Sequence, residues 1–139
     1  MGVSKGSAEW MGGFKDGNGV MRPANAAEAK FSVKSRFEGE QSSNPEELIG
    51  AALSGCFSMA LTLALEKAGL KPQSVKTNAD VHLVKETDGF VIKTIDLTTD
   101  VKVDGDDAKF HQIAAETKKG CPVSRALGGV TINLTARRS

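Results

Sequence analysis

The stretch Asn44-Pro45-Glu46-Glu47-Leu48-Ile49-Gly50-Ala51-Ala52-Leu53-Ser54-Gly55-Cys56-Phe57-Ser58-Met59-Ala60 opens a helix signal that runs on to Gly69. Asn44 can cap, Pro45 suits the first helical position, and Glu46 and Glu47 favour the positive end of the helix dipole. Gly69, followed by Lys71-Pro72, marks the stop. No charged residue stands between Leu48 and Leu65, so no face of this helix prefers water. A helix apolar all round is expected to be buried on all sides. Cys56 sits in its middle, flanked by the small residues Ala52, Ser54, Gly55, Ser58 and Ala60, which leave room for a reactant at the sulfur.

The charge-free run is about as long as a membrane span. Gly50, Ser54, Gly55, Ser58 and Thr62 dilute it and no basic cluster flanks it, which favours a core helix. At about 1.5 Å per residue it is about 30 Å long, nearly the width of a small domain. One chain of 139 residues cannot easily cover it, so a second copy, in a homodimer, is expected to help.

A chain of this length reads as a single domain, 1–139, with a loose tail over 1–6. The net charge of +1 argues against nucleic acid or an anionic membrane as partner. Residues 1–7 carry no apolar segment for a signal peptide, so the protein is expected in the cytoplasm. Its two cysteines match no zinc spacing. In a reducing compartment they are inert core or transient redox chemistry rather than a structural staple.

Around the helix, residues 7–14 read as a short strand and Asp16-Gly17-Asn18-Gly19 as a turn into Val20-Met21-Arg22, with 23–30 a loop. Phe31, Val33, Ser35 and Phe37 alternate with polar residues, which predicts a half-buried strand with Arg36 on its polar face. By pattern alone Arg36 is a solvated edge charge. Residues 74–86 and 90–103 predict two further strands, with a bulge near Lys93-Thr94 where the apolar phase shifts. The cluster Asp104-Gly105-Asp106-Asp107 departs from the calcium-loop pattern and reads as a turn and helix cap. A helix over 107–119, a turn of helix from Cys121 and a last strand over 130–136 complete the chain. The class is α+β, antiparallel sheets packed on the long central helix. His82 and His111 have no partner at ligand spacing and read as surface histidines.

Taken physically, Cys56 lies mid-helix in apolar surroundings, where a thiol is hard to ionise. Cys121 stands at a helix start with Lys118, Lys119 and Arg125 nearby, features that favour a thiolate. Cys56 therefore needs a cation from elsewhere. Arg36 is the natural candidate, because it precedes the helix closely in the chain and stays charged when buried.

Four blocks bear on this: Arg36-Phe37-Glu38-Gly39-Glu40, Asn44 to Ala52, Cys56-Phe57-Ser58-Met59-Ala60-Leu61, and Gly120-Cys121-Pro122-Val123-Ser124. Together they resemble the OsmC/Ohr family, closest to its OsmC branch, over nearly the whole chain. The resemblance implies a cytosolic, thiol-dependent peroxidase that reduces organic hydroperoxides, built as an intertwined homodimer. It further implies that Cys56 is the peroxidatic cysteine, Cys121 the resolving one, Arg36 the activating cation and Glu46 the carboxylate that holds it. No metal or bound cofactor is required. The reductant is an external dithiol, in this family often a dihydrolipoyl group. Leu53, Phe57, Met59 and Phe37 are expected to form an apolar wall for the organic tail. The alternative from another class is a dimeric, non-catalytic module holding a small hydrophobic ligand, with both thiols inert.

On a straight helix Glu46 and Cys56 lie about 15 Å apart. Either the helix breaks near Gly50 or Glu46 acts only through Arg36.

Overall fold

The computed structural model describes residues 2–139, so Met1, the first residue of the expected tail, lies outside the described residues. The chain forms two compact units, one up to Glu47 and one from Leu48 to Ser139.

In the first unit, strands β1 (Gly6–Met11), β2 (Asn18–Pro23) and β3 (Ala29–Phe31) form an antiparallel sheet in that order. The turn falls where Asp16-Gly17-Asn18-Gly19 predicts it. Gly19 is required by packing: a Cβ there would come within 2.6 Å of the Phe31 ring and 2.7 Å of Trp10. Those two rings meet at a centroid distance of 5.4 Å.

The alternation over 31–37 does not make a strand. β3 ends at Phe31, and Val33–Phe37 is a short helix, α1. Local hydrogen bonds decide this. The Ser32 hydroxyl accepts from the Ser35 N–H at 3.1 Å, and the Ser35 hydroxyl accepts from the Ser32 N–H at 2.8 Å. This reciprocal capping box satisfies donors that a strand edge would leave to water. Arg36 thus projects from a helix rather than from a strand end.

Helix α2 (Pro45–Lys67) begins in the last residues of the first unit and continues unbroken through Gly50. The Asn44 side chain accepts from the Glu47 N–H at 2.8 Å, and Gly69 (φ 84°) ends the helical stretch, as the sequence indicates. Leu53, Phe57, Leu61 and Leu65 recur every fourth residue and are fully buried. They share a core with Ile95, Leu97, Val101, Phe110 and Ala114. Each such side chain contributes about 1.5–3 kcal/mol by leaving water. The opposite face is not covered by the sheet of residues 74–138: Met59 is 77% exposed and Leu63 52%. The expected burial on all sides therefore holds for one face only, because a sheet covers a stripe of a helix and not its circumference.

That sheet is β4 (Ser74–Glu86), β5 (Gly89–Lys102) and β6 (Thr131–Arg138), in that order. β4 and β5 are antiparallel, and the pairing steps from His82↔Thr94 to Leu83↔Ile92, leaving Lys93 as the extra residue of the expected bulge. β6 pairs with β5 in parallel, so this sheet is mixed. The crossover of helices α3 (Asp107–Gly120) and α4 (Pro122–Ala126) returns the chain to the starting end of β5, which enforces the parallel sense. Asp106 caps α3 by accepting from the Lys109 N–H at 3.2 Å.

A line of hydroxyls sets the rotation of α2 on the sheet. Ser58 donates to Thr77 at 2.7 Å, and Thr77 contacts the fully buried Thr99 at 3.0 Å. Gly50 allows the helix close to β4, since a Cβ would meet Val81 Cγ2 at 3.2 Å. With this face turned to the sheet, the helix packs as a core element although its length and hydropathy suit a membrane span.

Candidate active site

The residues singled out in the sequence form two pairs of side chains. The first is Cys56 and Cys121, 65 residues apart in sequence, whose sulfurs lie 2.9 Å apart. Cys56 comes from the middle of α2. Cys121 is delivered by α3, whose Phe110, Ala114 and Thr117 are buried against the core, and its N–H closes on the Thr117 carbonyl at 2.9 Å. Pro122 then starts α4, with Cys121 in the capping position. Both thiols are free, Cys56 half-buried and Cys121 1% exposed. A disulfide, about 2.05 Å long, needs less than about 1 Å of further approach.

The two thiols are pushed apart in acidity. Burial raises Cys56, and the hydrogen bond with Cys121 raises it further. Within residues 48–139 no cation offsets this. Burial also pushes Cys121 up, but the hydrogen bond with Cys56 and, behind it, the Ser124 and Val123 groups outweigh that push and hold Cys121 below an ordinary thiol. In the neutral pair Cys121 donates toward Cys56. Within residues 48–139 these groups favour a charge on Cys121 over one on Cys56, because only Cys121 has the Ser124 donors. The sequence expectation that Cys121 ionises more readily is met within this unit.

The second pair is Arg36 and Glu46, both in the first unit. Arg36 Nη2 donates to Glu46 Oε1 at 2.6 Å, and Arg36 Nε lies 3.1 Å from Oε1 and 3.3 Å from Oε2. The Glu46 side chain is 8% exposed and that of Arg36 34%. This is not the solvated edge charge that pattern alone indicates: a carboxylate so deeply buried requires its cation. The Arg36 guanidinium also lies 5.4 Å from the centre of the Phe37 ring. Beside it is a cavity of about 230 Å³ lined by Trp10, Phe14, Phe31, Val33 and Phe37.

The expected apolar wall divides. Leu53 and Phe57 are fully buried beneath α2 and cannot meet a substrate, Met59 is open, and Phe37 lines the aromatic cavity. His82 pairs with Asp96 at 2.8 Å and His111 with Asp107 at 3.5 Å, both on the surface. Sequence reasoning missed the Ser32/Ser35 box that orients Arg36; the signal was a serine three residues after a serine.

The model of the family described as OsmC-like protein matches residues 38–135. The chain belongs to the OsmC-like family. It is 47% identical over 126 residues to Peroxiredoxin OsmC of Escherichia coli (strain K12), covering 88% of each chain, and equally similar to that of Shigella flexneri. Among solved structures, an OsmC-like protein from Mycoplasma pneumoniae superimposes with a TM-score of 0.78 at 14% identity, covering 99% of this chain and 97% of the other. The organic hydroperoxide resistance protein OhrB of Bacillus subtilis gives 0.67 at 20% identity, covering 97% and 98%. At such identities these structures share the OsmC-like fold. The α+β architecture with a long central helix is that of the family.

Proposed function

We propose that this OsmC-like chain is a thiol peroxidase that reduces organic hydroperoxides to alcohols. The observation that carries the reading is the 2.9 Å approach of two free thiols from distant parts of the sequence. The 47% identity to proteins named peroxiredoxin supports it. In this reading Arg36, gripped by Glu46, supplies the cation that Cys56 lacks in its own unit. Because α2 is unbroken, Glu46 acts through Arg36 and not on the sulfur. The Cys56 thiolate attacks the O–O bond, the alcohol leaves, and Cys56 becomes a sulfenic acid. Cys121 condenses with it to a disulfide, releasing water, and an external dithiol such as a dihydrolipoyl group restores both thiols. The aromatic cavity beside Arg36 supports a preference for an organic tail over hydrogen peroxide. Cytoplasmic residence fits thiols that must be reduced after each turnover. Stopped-flow oxidation by cumene hydroperoxide and by hydrogen peroxide tests the substrate class. The organic peroxide is expected to react at least about tenfold faster, the effect of about 1.4 kcal/mol of tail burial. Equal rates contradict this.

The working unit in this reading is a homodimer, and the support is the uncovered apolar face of α2 at Met59 and Leu63. Sedimentation is expected to give a dimer of the 14.6 kDa chain, and Met59→Glu to weaken it. A well-folded monomer in dilute wild-type protein contradicts the proposal.

A further inference from the structure

We propose that Ser124 is a positioning residue of the thiol pair: its buried hydroxyl donates to the Cys121 sulfur once that sulfur is charged and holds it ready to close the bond to Cys56. The functional part of this inference rests on the peroxidase reading; the chemistry at Cys121 does not.

Ser124 is 9% exposed, and its Oγ is the one buried side-chain nitrogen or oxygen among the described residues without a hydrogen-bond partner. Buried hydroxyls normally find partners, so an orphan calls for a reason. Two helical hydroxyls elsewhere in this chain satisfy themselves on the carbonyl four residues back. Thr62 bonds Ser58 O at 2.9 Å, and Thr117 bonds Ile113 O at 2.8 Å. Ser124 makes no such bond. It occupies the third position of α4, three residues after Cys121, a spacing that puts the two side chains on one face of the turn. At Ser32 and Ser35, in the same two positions of α1, each hydroxyl accepts from the other residue's backbone N–H. In α4 the Cys121 N–H is already taken by the Thr117 carbonyl at 2.9 Å, so the Ser124 hydroxyl has no such backbone partner and the neighbouring side-chain group on that face is the Cys121 sulfur. A neutral thiol is a weak acceptor, whereas a thiolate is a strong one. The hydroxyl thus has no partner in the neutral pair and gains one when Cys121 ionises. Cys121 is held below an ordinary thiol, with Ser124 among the groups that lower it, which agrees with this.

The other titratable groups around Cys121 are few. Cys56 faces it from α2, and Lys67 of α2 and Glu116 of α3 stand on the groove that Cys121 also lines. Lys118 of α3 is engaged at 3.2 Å with the Ile132 carbonyl of β6. Lys119 and Arg125 are exposed. In the resolving step the Cys121 thiolate attacks the Cys56 sulfenic sulfur. The S–S bond forms, the S–O bond breaks, and the departing hydroxide takes a proton to become water. The two electrons were already transferred to the peroxide. Ser124 acts by raising the fraction of Cys121 that is thiolate.

The test is a pH titration of thiolate ultraviolet absorbance in the full chain carrying Cys56→Ser, which leaves Cys121 as the only thiol. Adding Ser124→Ala is expected to move the curve to higher pH and lower the ionised fraction near neutrality about threefold, half a pH unit. Ser124→Thr, which keeps the hydroxyl, is expected to recover most of it. In the chain with both cysteines, Ser124→Ala is expected to slow disulfide closure about threefold while sulfenic acid formation keeps its rate. Superimposed titrations for serine and alanine overturn the proposal. A shift that threonine does not restore makes Ser124 a packing residue and overturns it as well. Failure of peroxide to oxidise Cys56 would instead sink the peroxidase reading, and it leaves the titration untouched.

Discussion

Cys56→Ser is expected to abolish hydroperoxide turnover, whereas Cys121→Ser completes one round and stalls as the Cys56 sulfenic acid. The contrast matters because the local electrostatics of residues 48–139 favour the opposite order. Burial and the hydrogen bond with Cys121 raise Cys56, while Cys121 is lowered by its donors. If these groups alone governed reactivity, Cys121 would attack the peroxide first. One observation and the proposed cation favour Cys56 in spite of them. Cys121 is 1% exposed and Cys56 more open, so a peroxide oxygen reaches Cys56 more easily. A cation supplied by Arg36 would also reverse the order of ionisation, because opposite charge lowers a thiol as effectively as burial raises it. Rapid-quench trapping with a sulfenic-acid reagent, followed by mass mapping, checks the order. Sulfenic acid found at Cys121 in the Cys56→Ser variant, with turnover retained, reverses the assignment.

Arg36→Ala is expected to slow oxidation of Cys56 by at least about tenfold, the effect of one unit of thiol acidity. The sign follows from the charge: a cation at the sulfur favours the thiolate, so if Arg36 plays the proposed role its loss moves Cys56 alkylation to higher pH in the Cys121→Ser background. Arg36→Lys recovers only part, since an ammonium lacks the planar fork that could grip Glu46 and face a sulfur at the same time. Arg36→Ala also strands Glu46, a buried carboxylate, at a cost of about 3–5 kcal/mol. Arg36→Ala with Glu46→Gln removes that penalty and is expected to regain stability while staying slow. Superimposed alkylation curves for wild type, Arg36→Ala and Arg36→Lys would make Arg36 a structural partner of Glu46 and nothing more.

The parts of the fold legible in the sequence were those written in local chemistry. Asn44 and Gly69 bound α2, Asp106 caps α3, and the phase shift at Lys93 marks the bulge, because caps and pleats act over a few residues. The segment around Arg36 was misread for the same reason in reverse. Alternating side chains over 31–37 read as a strand, but the Ser32/Ser35 box is a competing local signal and it prevails. The parallel pairing of β6 was not legible, since it depends on where the α3–α4 crossover returns the chain. At the site, the lowering of Cys121 agrees in direction with its place at a helix start, but its largest cause is the hydrogen bond with Cys56 and none of it comes from Lys118, Lys119 or Arg125. Nothing in the spacing of Cys56 and Cys121 says that they meet; that came from resemblance, as did the link between Arg36 and Glu46. The orphan hydroxyl of Ser124 was invisible, because a serine in the first turn of a helix is ordinarily satisfied.

The most direct measurement is thiol counting and peptide mapping after one equivalent of cumene hydroperoxide is added to the reduced protein. The predicted result is loss of both thiols in each chain, with a single disulfide between the peptides of Cys56 and Cys121 and no link between chains. Two thiols that remain free, or that over-oxidise slowly without joining, would contradict a catalytic pair and leave the hydrophobic binding module as the better account.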